Sequence, residues 1–162
     1  VAGFTVTARI EYDEDMGPPW KEHDGHGPVS DWTRRSKLPG ERVLCDDRGF
    51  RRYYDWQEAV KIARRDGWDA PPFGVGTAGE RAVRAAESDF QHLRGWCNDT
   101  WHWVGVVLSV SKAGIELDGY AASLWGIDAG EDGGEYLTDV ANELLDEAVK
   151  VGKARLESLA VS

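Results

Sequence analysis

Trp101-His102-Trp103-Val104-Gly105-Val106-Val107-Leu108-Ser109-Val110 decides the fold. The run is dense in valine and bounded by the polar Asn98-Asp99-Thr100 before it and Ser111-Lys112-Ala113-Gly114 after it. It reads as a strand, with His102, Val104, Val106, Leu108 and Val110 on one face. Lys112-Ala113-Gly114 then turns the chain into a partner strand over residues 115–127. Working outward, Phe4, Val6, Ala8, Ile10 and Tyr12 alternate with Thr5, Thr7, Arg9 and Glu11, which gives a further strand with one buried face. Arg42-Val43-Leu44-Cys45 and residues 50–54 form a second hairpin around Asp46-Asp47-Arg48-Gly49.

Helices fill the rest. Asp55 with Glu58 three residues later marks an N-terminus, Trp56, Ala59, Val60 and Ala63 share a face, and Gly67 stops the helix. A second helix begins at Thr77 with the apolar stripe Ala82, Val83, Ala86, Phe90, Leu93 and Cys97. A third spans about 135–159 and buries Leu137, Val140, Ala141, Leu144, Ala148 and Val151. The expected fold class is α+β, an antiparallel sheet of three or more strands packed with about three helices. At 162 residues the chain reads as a single domain, 1–162. Residues 13–40, rich in Pro, Gly, Asp and His, read as a long irregular loop within it.

Charge is segregated along this chain. The ten carboxylates from Glu116 to Glu147 have no Lys or Arg among them, whereas residues 31–65 carry ten Lys/Arg against six Asp/Glu. The formal net charge of −10 repels nucleic acid and attracts basic surfaces. Acids at a helix start are ordinary complements of the helix dipole, which accounts for Glu131, Asp132 and Glu135. Asp139, Glu143, Asp146 and Glu147 lie deeper and need another reason. Glu135, Asp139, Glu143 and Glu147 recur every four residues and so place one carboxylate per turn on one face. Asp146 recovers a little with Lys150.

No apolar run is long enough to span a bilayer, and residues 1–10 lack the pattern of a signal peptide. The expectation is a soluble cytoplasmic protein, with Cys45 and Cys97 as buried free thiols. No cofactor is implied.

Four constellations compete as sites. Gly74-Val75-Gly76-Thr77-Ala78-Gly79 is a GxGxxG, but Pro71-Pro72 before it forbids the strand a dinucleotide fingerprint needs. Thr77 with Glu80 reads instead as a capping box. His23, Asp24 and His26 have the residue types of a metal site, in a spacing that matches no metal motif. Cys97-Asn98-Asp99 with His102 suggests a nucleophile, yet Cys97 falls on a buried helix face, where a thiolate is disfavoured. Arg48, Arg51, Arg52 and Tyr54, within the Arg/aromatic segment 48–56 and followed by Arg64 and Arg65, mix cations and rings as single-strand binders do. The plainer reading pairs these arginines with the protein's own acids.

Residues 4–11, Pro19-Trp20-Lys21-Glu22-His23-Asp24-Gly25-His26-Gly27-Pro28-Val29-Ser30-Asp31-Trp32, residues 53–68 and Leu93-Arg94-Gly95-Trp96-Cys97-Asn98-Asp99 together resemble a family of small proteins encoded by tailed bacteriophages and prophages. The resemblance implies a genomic setting in which acidic inhibitors of host defence, some of them DNA mimics, occur. The reading is a non-enzymatic accessory protein that binds a host or defence protein on its basic nucleic-acid-binding surface. The contacting residues are Asp139, Glu143, Asp146 and Glu147 with Glu131, Asp132 and Glu135. Direct nucleic-acid binding and membrane insertion are not expected.

Overall fold

The structure is a computed structural model and describes residues 2–128 and 133–161. In chain order its elements are β1 (Thr5–Tyr12), α1 (Pro19–Glu22), β2 (Glu41–Asp47), β3 (Phe50–Asp55), α2 (Trp56–Asp66), α3 (Ala78–Cys97), β4 (Trp103–Lys112), β5 (Ile115–Asp128) and α4 (Gly133–Val161). The fold is α+β, with a three-stranded antiparallel sheet ordered β1-β4-β5 and a two-stranded sheet β2-β3. Contacts divide the chain into two compact units, Val1–Met16 with Trp101–Ser162, and Gly17–Thr100.

The first unit is built on the valine-rich run. The turn from β4 to β5 places Ala113 at φ 52° and Gly114 at φ 78°. Two successive positive φ angles match the right-handed twist of a hairpin, and glycine adopts them at little cost. Val104, Val106, Leu108 and Val110 face Phe4, Leu137, Val140 and Ala148 in one core cluster. Each of those larger side chains contributes about 1.5–3 kcal/mol by leaving water. Val107, on the opposite face, is buried as well, so β4 lacks the half-polar alternation of an outer strand. His102 departs from expectation. It lies before β4 and is exposed, because Trp101 and Trp103 occupy the buried positions on either side of it, edge to face at 5.3 Å. Helix α4 rests on the sheet at Gly152, where a Cβ would come 2.9 Å from Val110 Cγ2 and 3.1 Å from the Phe4 ring.

In the second unit, Arg48 (φ 52°) and Gly49 (φ 89°) close the β2–β3 hairpin in the same way. The Glu58 amide donates to Asp55 Oδ1 at 3.0 Å to cap α2, and Gly67 at φ 70° ends it. The Glu80 amide donates to Thr77 Oγ1 at 3.2 Å, so the glycine-rich stretch serves the start of α3. Ala82 and Ala85 of α3 pack with Ala63 and Ala70, while Ala86, Phe90 and Leu93 pack with Leu44 and Tyr54. Two partners thus widen the buried face to include Ala85. Val83, expected in the stripe, is turned out and is 43% exposed.

Two further expectations change here. Residues 13–40 are not wholly irregular. They contain α1 and then run antiparallel beside β3 through bridges Val29↔Tyr54 and Thr33↔Arg51. The Thr33 and Arg51 amides exchange hydrogen bonds at 2.9 and 2.8 Å, and the Ser30 amide donates to the Tyr53 carbonyl at 2.9 Å. Cys45 and Cys97 are not free thiols but a disulfide, with Cα atoms 5.6 Å apart. Both were expected in apolar surroundings. It is the same surroundings: Cys45 follows a register shift in β2 and Cys97 is the last residue of α3, and both belong to one cluster. Among the described residues no helix is long and apolar enough to cross a membrane.

Candidate functional site

The acidic row is set by the packing of α4. Its apolar side, led by Leu137, Val140 and Ala148, faces the sheet. Glu135, Asp139, Glu143, Asp146 and Glu147 are all exposed. Four-residue spacing separates successive acids of the row by ~6 Å along the helix axis. Among the described residues none of the five has a cation within ion-pair distance, Lys150 included. Arg155 of the same helix turns instead to Asp118 on β5, Nη2 to Oδ2 at 3.1 Å. The Tyr120 amide also donates to Asp118, at 2.9 Å. This amide and the Arg155 guanidinium hold the Asp118 carboxyl below its ordinary range. Adjacent carboxylates of the row repel by about 0.7 kcal/mol at that spacing in water before salt screening. Glu131 and Asp132 lie outside the described residues.

The basic stretch behaves differently, because most of its arginines are matched within their own unit. Both Nη groups of Arg35 donate to Glu41, at 2.7 and 2.8 Å, and the Leu38 amide donates to the same carboxylate at 2.7 Å. These donors, Arg35 foremost, depress the Glu41 carboxyl against the opposing effect of burial. Arg42 pairs with Glu87, and Arg51 pairs with Asp46 at 3.1 Å. Rings engage two more. Arg34 lies over Phe50 at 4.3 Å, and Arg52 lies between Trp20 and Trp32 at 5.1 and 5.0 Å. Burial lowers the Arg52 pKa, with Asp31 opposing. Tyr54 has no exposed surface. It cannot stack on a base, and the single-strand reading of segment 48–56 loses its central ring.

A third cluster was not foreseen. The Asp89 side chain is 10% exposed and binds three groups. His26 Nδ1 lies 2.6 Å from Oδ1, while the Tyr54 hydroxyl donates to Oδ2 at 2.7 Å and the Gly27 amide at 2.8 Å. Burial first, then the Asp89 charge, pushes the Tyr54 phenol far above its ordinary range. Gly27 fits because a Cβ there would come 2.5 Å from the Tyr54 hydroxyl. His92 lies near-parallel to His26, with ring centroids 6.3 Å apart. This knot ties the His-rich loop to β3 and α3.

His26 is therefore held by Asp89. Among the described residues no group of three His, Cys, Asp or Glu side chains could hold a metal ion. The structure does not gather His23, Asp24 and His26 into such a group. Cys97 is disulfide-bonded, which removes the thiolate a nucleophile requires.

The clue to Asp89 lay in the helical spacing. Positions 82, 86, 89 and 93 recur every three or four residues, so Asp89 sits inside the buried stripe of α3. A carboxylate there needs partners, and this one has three. No family model, curated protein or solved structure matches the chain.

Proposed function

We propose that the protein acts by binding, as a phage-encoded accessory protein whose α4 face occupies a basic surface of a host or defence protein. One observation carries the reading. Glu135, Asp139, Glu143, Asp146 and Glu147 are exposed together and have no cation of their own among the described residues. The arginines of the second unit are by contrast largely engaged at home. A regular row of uncompensated carboxylates presents what a nucleic-acid backbone presents, and its self-repulsion is relieved when a basic groove closes over it. On this reading the activity is inhibition by occupancy, with no catalytic step.

The test is capture from bacterial lysate at low and high salt, with bound proteins identified and assayed for competition with DNA or RNA. Exchanging Asp139, Glu143 and Glu147 for Lys leaves the buried face of α4 untouched. The triple variant is expected to fold and to lose the partner. Undiminished capture by that variant would sink the proposal.

A further inference from the structure

We infer that β1 is a self-complementary edge through which two copies of the chain pair, antiparallel, about a two-fold axis at Ile10. The two outer strands of the three-stranded sheet differ. Pairing of β5 with β4 is broken by register shifts at Val104/Val106, Leu108/Val110 and Val110/Ser111. Bulges of that kind twist an edge away from new partners. Pairing of β1 with β4 runs unbroken from Thr5↔Ser111 to Tyr12↔Val104. Its far edge is therefore straight, and it contains neither proline nor lysine. Such an edge is a template for strand addition.

Charge selects a second copy as the occupant. With Ile10 opposite the second copy's Ile10, Arg9 falls opposite the second copy's Glu11, and the converse pair follows by symmetry. Centring the axis on Arg9 would oppose two arginines. Within the chain Nε of Arg9 and Oε1 of Glu11 are joined at 3.0 Å, and the Tyr120 hydroxyl donates to the same Oε1 at 3.2 Å. The Arg9 guanidinium also lies over the Tyr120 ring at 4.6 Å, and Oε2 of Glu11 is left for the second copy's Arg9.

Apolar surface agrees with that register. Val6, Ala8, Ile10 and Tyr12 pair with Val110, Leu108, Val106 and Val104, which face α4. Beside them an open groove of about 530 Å³ is lined by Val6, Ala8, Ile10, Leu137, Ala141 and Leu145. Ile10 is 58% exposed and Tyr12 71%. The proposed pairing sets the second copy's Tyr12 opposite Ala8 at the mouth of this groove and covers both Ile10 side chains. The acids of α4 lie on the helix face away from the sheet, so the pairing leaves them open.

Sedimentation equilibrium at physiological ionic strength tests this, with circular dichroism to verify that each variant is folded. The wild-type chain is expected to dimerise. Arg9→Glu and Glu11→Arg each place like charges opposite one another twice, and are expected to raise the dimer dissociation constant about tenfold or more. The double exchange restores opposite charges and is expected to recover the wild-type constant. Ile10→Lys sets two cations on the axis. Its side chain is exposed in the single chain, so it remains informative where a charge reversal fails to fold. A wild-type chain that stays monomeric up to about 1 mM overturns the inference. So does a dimer indifferent to Ile10→Lys, or a double exchange no tighter than the single reversals.

Discussion

The two units are held together by different means. In the first, an apolar sheet face meets an apolar helix face. The polar contacts around it are peripheral, such as Asp118 with the 60% exposed side chain of Arg155. In the second, no strand resembles β4, and the core is joined by side-chain hydrogen bonds, guanidinium-on-ring contacts and a disulfide. The first kind of core depends on area and tolerates change wherever volume is kept. The second depends on particular atoms, since each buried polar group is stabilising only while its partner is present.

Removing the Asp89 carboxylate should therefore give the largest effect. Asp89→Ala removes the carboxylate that accepts from the Tyr54 hydroxyl and the Gly27 amide and lies against His26 Nδ1, and leaves Tyr54 only the Ala86 carbonyl at 3.4 Å. A loss of about 3 kcal/mol or more is expected, because several largely buried polar groups lose their nearest partner at about 1–3 kcal/mol each. Asp118→Ala, the comparable deletion in the first unit, is expected to cost less than about 1 kcal/mol. Amide hydrogen exchange reads each unit by its own core amides. Equal losses at the two positions would break the contrast.

The same contrast explains what the sequence made legible. Apolar periodicity repeats along the chain, so β1, β4, β5 and α4 follow from it nearly residue by residue. Caps and turns are local as well, which is why Asp55, Thr77, Gly67 and the Ala113-Gly114 turn were readable. The Asp89 knot joins His26, Tyr54 and Asp89 from three separate stretches, and no local pattern announces such a convergence. The disulfide was missed for the same reason, because the chain shows only that each cysteine lies among apolar neighbours. In the candidate site, the exposed acids were legible from their four-residue spacing. The home pairing of Arg35, Arg42 and Arg51 required the fold.

Reduction of Cys45–Cys97 should have the next largest effect. The bond joins β2 to the end of α3 across a sequence separation of 52 residues. For a loop of that size the chain-entropy estimate is about 4 kcal/mol, and measured effects commonly fall at 2–4 kcal/mol. A reductant is expected to lower the protection of amides in residues 17–100, and Cys97→Ser should reproduce the loss without one. Unchanged protection in both samples would show that the apolar cluster alone holds the second unit.

The smallest effect is expected from acid, and it also separates the units. Glu41, Asp66, Asp69 and Glu87, all in the second unit, are held below their ordinary pKa values. In the first unit Asp118 is held down in the same way. A carboxyl with a lower pKa folded than unfolded stabilises the fold above its unfolded value, and that stabilisation is lost as the pH falls through its folded value. The loss therefore begins below 4.5 for Glu41, the ordinary value for that carboxyl, and residues 17–100 should lose stability first. Glu41→Gln supplies the control. It leaves the Arg35 guanidinium without its anion at neutral pH, so the variant is expected to be less stable than wild type there. The difference should close in acid, where the wild-type carboxyl is protonated too. Amide resonances followed from neutral pH into acid measure both curves. A stability gap between Glu41→Gln and wild type that stayed constant across that range would mean that Glu41 acts through packing rather than charge. The atom-specific character assigned to the second unit would then rest on Asp89 and the disulfide alone.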